Sequence, residues 1–169
     1  MEARKLSNPR SSPFHLSLRI RHPSLDPADI SRELRIGPEH SFRAGDPRHS
    51  RSGLAPASVH ADSYWLGALN PAEWSADPSL ADDPLVKIAR ERLGAESRSL
   101  GWALSLCARR FFSVHGALLR RIRTEGGQVS VLVTVSAPEA SGFSLSPEVS
   151  RVFSELGIAL EFEFESESE

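Results

Sequence analysis

The chain has 169 residues, of which 40% are hydrophobic and 25% charged, and its formal net charge is −2. A chain of this length fits one domain and buries enough surface to hold a core without a metal or disulfide. Its one cysteine, Cys107, excludes an internal disulfide and points to a reducing compartment, and the near-neutral charge speaks against a dedicated nucleic-acid binder.

Residues 1–13 are polar, with Pro9 and Pro13, and are expected to be disordered. No apolar run there resembles a signal peptide, and none anywhere approaches the ~20 residues needed to span a membrane. A cytoplasmic location is therefore expected. FHLSLRIRH then alternates: Phe14, Leu16, Leu18 and Ile20 share one side, and His15, Ser17, Arg19 and Arg21 the other. That period marks a strand buried on one face.

A helix start comes next. Asp26 suits the N-cap, Pro27 the first helical position, and Leu25 and Ile30 the staple around the cap. Ile30 and Leu34 give the helix its apolar face, and Gly37-Pro38 is the expected stop. His40–Ala44 is a short strand candidate. Residues 45–61 form a loop rich in Gly, Pro, Ser and Arg, long enough to suggest function or mobility. Ser63–Leu69 reads as a strand ended by Asn70-Pro71, and a second loop containing Trp74 runs to Asp83.

Asp83-Pro84 repeats the cap-plus-proline start, with Leu85, Ile88, Ala89 and Leu93 at helical spacing and Gly94 as a break or kink. From Leu100 the series Leu104, Cys107, Phe111, Val114, Leu118 and Ile122 advances by threes and fours, which predicts one buried helical face. Gly126-Gly127 ends it. Val129, Val131, Val133 and Val135 alternate with Ser130, Leu132, Thr134 and Ser136 in the clearest strand of the chain. Ser146-Pro147 opens a helix with Val149, Val152, Phe153 and Leu156 inward and Gly157 at its end. Ile158, Leu160, Phe162 and Phe164 then line one side of a last strand.

The order β-α-β-β-α-β-α-β predicts an α+β fold: an antiparallel sheet with helices on one face, built as a ferredoxin-like β-α-β-β-α-β core with a helix and strand appended. The expected domain is 14–165, with an acidic tail at 166–169. Ten of the 20 basic residues precede position 52, and after Arg151 the charges are acidic only, from Glu155 to Glu169. Such asymmetry can steer a partner, but a solvated edge strand with a disordered tail is the favoured explanation.

Four stretches, LRIRHPSLDPADISRELRIGPEHSFRAGDPR at 18–48, SYW at 63–65, GGQVSVLVTVS at 126–136 and SPEVSRVFSELGIALEFEF at 146–164, together resemble a bacterial family known as domain of unknown function 4279. The resemblance covers most of 14–164 and implies a compact α+β fold of bacterial origin. Some members look like immunity proteins that accompany secreted toxins. The resemblance brings no catalytic residues.

The candidate sites compete with packing explanations. His40, His49 and His60, with Asp46 and Asp62 nearby, lack the tight spacing of metal ligands, so no metal and no cofactor is expected. Cys107 falls on the buried helical face, where a thiol is inert. Asp82-Asp83 is explained by capping, and Glu161, Glu163 and Glu165 by a solvated strand face. Arg109, Arg110, Arg120, Arg121 and Arg123 could grip phosphates, but the last three also suit the negative end of their helix, and nucleic-acid binding is the least favoured alternative. The region from Phe42 to Trp65 is the best place for function. Arg43, Asp46, Arg48 and Arg51 are polar groups on the long loop, and Tyr64 and Trp65, being adjacent on a strand, point to opposite faces. One belongs to the core; the other, if exposed beside Arg, suits a protein contact surface. The expectation is a non-enzymatic protein-binding module, of an immunity or operon-partner type. The alternative is a small ligand-binding domain or enzyme with a pocket near Arg43, Asp46 and Trp65. The sequence leaves the oligomeric state open.

Overall fold

A computed structural model describes residues 14–48, 58–69, 99–135 and 144–164. Within them lie β1 (Phe14–His22), α1 (Pro27–Leu34), β2 (His40–Phe42), β3 (Ser63–Ala68), α2, β4 (Gln128–Val135), α3 (Pro147–Leu156) and β5 (Ala159–Phe164). Helix α2 is continuous but built in three pieces: α-helical Leu100–Leu106, π-helical Cys107–Phe112 and α-helical Ser113–Thr124. The helix expected at 84–93 lies outside the described residues.

The five strands form one sheet in the order β2-β3-β1-β4-β5. The neighbours β2–β3, β3–β1 and β1–β4 are antiparallel. The expectation of an antiparallel sheet fails at the last pair, because β5 runs parallel to β4. The cause is the connection. A hairpin turn reverses the chain, whereas a crossover carrying a helix, here α3, returns it in the same direction.

Alternation decides what each face carries. Leu16, Leu18 and Ile20 of β1, Trp65 of β3, and Val129, Val131, Val133 and Val135 of β4 join one core with Ile30 and Leu34 of α1, Leu104, Phe112 and Ile122 of α2, and Val149, Phe153 and Leu156 of α3. All three described helices thus cover the same face. Their starts are those the local chemistry dictates. Asp26 accepts from the Ala28 amide at 2.9 Å, and Ser146 accepts from the Val149 amide at 3.3 Å, each just ahead of a proline. Helix α1 stops before Gly37-Pro38, because Arg35 turns left-handed at φ 56° and caps it.

One inward position is corrected. Val114 is 73% exposed, while Phe111 and Phe112 are both buried. A π turn holds one more residue than an α turn, which rotates every later residue of the helix by about 100° at 3.6 residues per turn. The advance by threes and fours therefore loses phase across Cys107–Phe112, and Val114 swings to solvent. Beyond the break the buried positions are Gly116, Leu118, Leu119 and Ile122. The last strand also outruns the core. Leu160 and Phe162 pack against it, but Phe164 is 76% exposed.

Candidate functional site

No described helix covers the second face of the sheet, and its residues are set by the register. Trp65 lies beneath α1, fully buried, and donates from its indole Nε1 to Ser31 Oγ at 2.9 Å. Its neighbour Tyr64 must then face the other way, where it is half-buried. Across the sheet Arg21 of β1 and Phe42 of β2 both stand opposite Tyr64. Three strands thus place a guanidinium and two rings in one row.

The row is stacked. The Phe42 and Tyr64 rings lie 5.1 Å apart and 12° from parallel, and the Arg21 guanidinium carbon sits 5.8 Å from the Tyr64 centroid. His60 closes the far end, 3.6 Å from Phe42 and tilted by 22°. His40 meets both Phe42 and Tyr64 edge-on at 5.8 Å. His60 arrives there because the described ends of the long loop zip together beyond β2 and β3. Gly45 donates to His60 O at 2.8 Å, His60 to Asp46 O at 2.9 Å, and Arg48 to Ser58 O at 3.0 Å.

β2 ends at Phe42 rather than at Ala44. The Asp46 carboxylate accepts from the Arg43 amide at 2.7 Å, and Gly45 takes φ 87°, so the chain turns where a longer strand was expected. The Arg43 side chain reaches back to the N-cap of α1 and pairs with Asp26 at 2.5 Å.

Two shallow cavities adjoin the stack. One, of about 340 Å³, is lined by Arg21, Arg48, His60, Asp62 and Tyr64 among others. The other, of about 620 Å³, shares His40, Phe42, Arg48 and His60 and extends to Asp46. The cations here are available. Among the described residues neither Arg21 nor Arg48 has a side-chain hydrogen bond or ion pair, whereas Arg19, on the same face of β1, is held by Glu161 and by Ser130 Oγ at 3.1 Å. Burial pushes the Tyr64 hydroxyl above its ordinary pKa, against the opposing pull of Arg19 and Arg21. It is therefore a neutral hydrogen-bonding group near pH 7. Such a surface offers unpaired guanidiniums and π faces, which bind carboxylates and flat groups.

The structure brings Asp46, Arg48 and Tyr64 to this face and separates the rest of the expected set. Trp65 belongs to the core, Arg43 is turned toward α1, and Arg51 lies outside the described residues. Arg43, Asp46 and Trp65 accordingly do not line one pocket. The residues the sequence did not single out as binding groups are Arg21, His40, Phe42 and His60. Arg21 was legible as outward on β1, but its neighbours were not, because they are set by register across three strands.

Other candidates have packing roles. Cys107 is fully buried, and burial pushes its thiol up to about 12. Arg109 pairs with Glu148 of α3 at 2.6 Å, and Arg121 with Glu33 of α1 at 2.7 Å, so these two basic residues of α2 tie the helices together. Among the described residues no group of three or more His, Cys, Asp or Glu is placed to hold a metal ion, and no helix is long and apolar enough to cross a membrane.

A model of the family described as "Domain of unknown function (DUF4279)" matches residues 12–167. The chain belongs to the DUF4279 family. No curated protein and no solved structure matches it. The match spans nearly the whole chain and takes in every strand of the DUF4279 sheet, including the three that carry the Arg21–Tyr64–Phe42 row.

Proposed function

We propose that this DUF4279 domain is a protein-binding module whose recognition surface is the second sheet face, the one no described helix covers, over β2, β3 and β1. The observation that carries the reading is the Arg21–Tyr64–Phe42–His60 stack, flanked by Arg48. Arg and Tyr are the residue types that concentrate binding energy at protein interfaces. Here the rings are already ordered by one another, so docking would freeze few rotamers. Among the described residues Arg21 and Arg48 make no side-chain ion pair, so they can engage carboxylates, and the complementary partner is a protein presenting an acidic patch. An immunity-type protein, or the partner of another product of the same operon, would be such a case, acting in the cytoplasm.

We also read β1 to β4 with α1 and α2 as a ferredoxin-like core to which α3 and β5 are added. The order β2-β3-β1-β4, with every neighbour antiparallel, supports that reading.

The test is site-specific photo-crosslinking in the native host, with a photoreactive phenylalanine placed at Tyr64 or, as control, at exposed Val114. The expected result is a discrete adduct with one protein from position 64 only, lost when Arg21→Glu and Arg48→Glu are combined. No adduct at 64, or the same adduct from 114, would sink the reading.

A further inference from the structure

On the other side of Arg21 from Tyr64 the same sheet face holds a separate cleft of about 380 Å³. Arg19 and Arg21 of β1, Ser130 of β4, Glu161 of β5 and Arg123 of α2 contribute to its walls, and Gly127 and Gly157 border it. We propose that this cleft binds a dianionic oxyanion, in chemical class a phosphate monoester. The inference does not rest on the protein-binding reading, which uses the opposite side of Arg21.

Two of its three guanidiniums are fixed in place by the fold. Arg123 donates from Nη1 to the Leu156 carbonyl at 3.1 Å, where the last carbonyls of α3 are free of helical partners and attract a cation. Its guanidinium lies across Gly157, a left-handed residue at φ 57°, where any Cβ would collide with it. Arg19 is held by Ser130 Oγ and by Glu161. A guanidinium carries five N–H donors, so each retains donors after these contacts. Arg21 brings a third guanidinium without a side-chain hydrogen bond or ion pair among the described residues. Pre-oriented planar forks of this kind match the tetrahedral oxygens of a phosphoryl group.

The charge count selects the ligand. Three guanidiniums against the single Glu161 carboxylate leave two positive charges in the cleft lining. Burial works against the charge on Glu161. The hydrogen bonds from Arg19 and Ser130 and the charges of Arg19 and Arg21 outweigh it and keep the carboxyl below its ordinary range. Glu161 therefore stays ionised near neutral pH. A monoanion leaves one cation uncompensated, and a polyphosphate crowds the carboxylate. A monoester, close to doubly charged at pH 7, balances the site.

The test is a two-dimensional amide NMR titration at fixed ionic strength with inorganic phosphate and, in a second arm, glycerol phosphate. We expect saturable shifts at Gly127, Gln128, Ser130 and Ala159 in one or both arms; saturation by glycerol phosphate alone would assign the site to an esterified ligand. Sodium chloride should give no saturation. Arg21→Gln, at an exposed position, should weaken binding about tenfold, equivalent to about 1.4 kcal/mol. Arg123→Lys should do the same by keeping the charge and losing the fork, with its thermal unfolding checked beside it. Arg32→Gln, on the exposed side of α1 and outside this cleft, should leave the affinity unchanged. Linear shifts in both arms, shifts reproduced by chloride, or equal affinity in Arg21→Gln would overturn the proposal.

Discussion

Adding one methyl group at Gly67 should destabilise the domain only while Trp65 is present. A Cβ built at Gly67 would lie 2.5 Å from Trp65 Cη2 and 2.8 Å from Cζ2, because the indole lies across the glycine two residues ahead on the same face. Carbon atoms rest at roughly 3.5–4.0 Å, so the ring must move by about 1 Å. It has nowhere to go: Trp65 is fully buried and tethered to Ser31. Overpacking of this kind costs about 1–3 kcal/mol. Replacing a strand glycine returns about 0.5–1 kcal/mol of backbone entropy, which leaves Gly67→Ala up to about 2.5 kcal/mol less stable than the parent. In a Trp65→Phe background the colliding ring atoms are gone, and the same substitution should become neutral or stabilising by up to about 1 kcal/mol. Urea unfolding monitored by far-ultraviolet circular dichroism reads all four corners of this double-mutant cycle, and contacting residues typically couple by ~0.5–3 kcal/mol. An equal cost of Gly67→Ala in both backgrounds would refute the placement of Trp65. With it would go the outward placement of Tyr64, since a one-residue slip exchanges the two faces.

The charges and the core give two further outcomes. Glu161 has a folded pKa below its ordinary 4.5. Its carboxylate therefore stabilises the folded state above pH 4.5, and that contribution is lost as the pH falls through the folded value. Glu161→Gln should remove this part of the acid-side decline. The effect should fall within the ~0–1 kcal/mol of an exposed pair, read as the difference in urea midpoint between pH 7 and pH 3.5. A decline of unchanged size in the variant would count against the Arg19 pairing. Cys107, with its thiol near 12 and no exposed surface, should react with iodoacetamide only as fast as the domain opens. Modification at the rate of a free thiol in native buffer would contradict its burial.

The features readable from residues alone were local. The alternation in Phe14–Ile20 and Val129–Val135 identified the inward faces of the two central strands, and Asp26-Pro27 and Ser146-Pro147 marked two helix starts. These signals succeed because strand period and N-capping act over a few residues. Val114 failed because the π turn at Cys107–Phe112 changes the helical period without a breaker; adjacent buried Phe111 and Phe112 are its one residue-level trace. The direction of β5 was hidden because one apolar face fits parallel and antiparallel pairing alike. The candidate site was half legible. That Tyr64 and Trp65 diverge is a consequence of strand geometry, but which of them faces the helices depends on pairing with Arg21 and Ile20. Positions 21, 42, 60 and 64 become neighbours only through register and through the zipped ends of the loop.

Hydrogen–deuterium exchange on the domain, free and bound to the protein recovered by cross-linking, measures directly which face is used. Recognition through the sheet face that no described helix covers predicts slowed exchange in 40–48 and 58–66, with the outer surfaces of α2 and α3 unchanged. Protection confined to those helices, with β2, β3 and the loop ends exchanging as in the free domain, would contradict it.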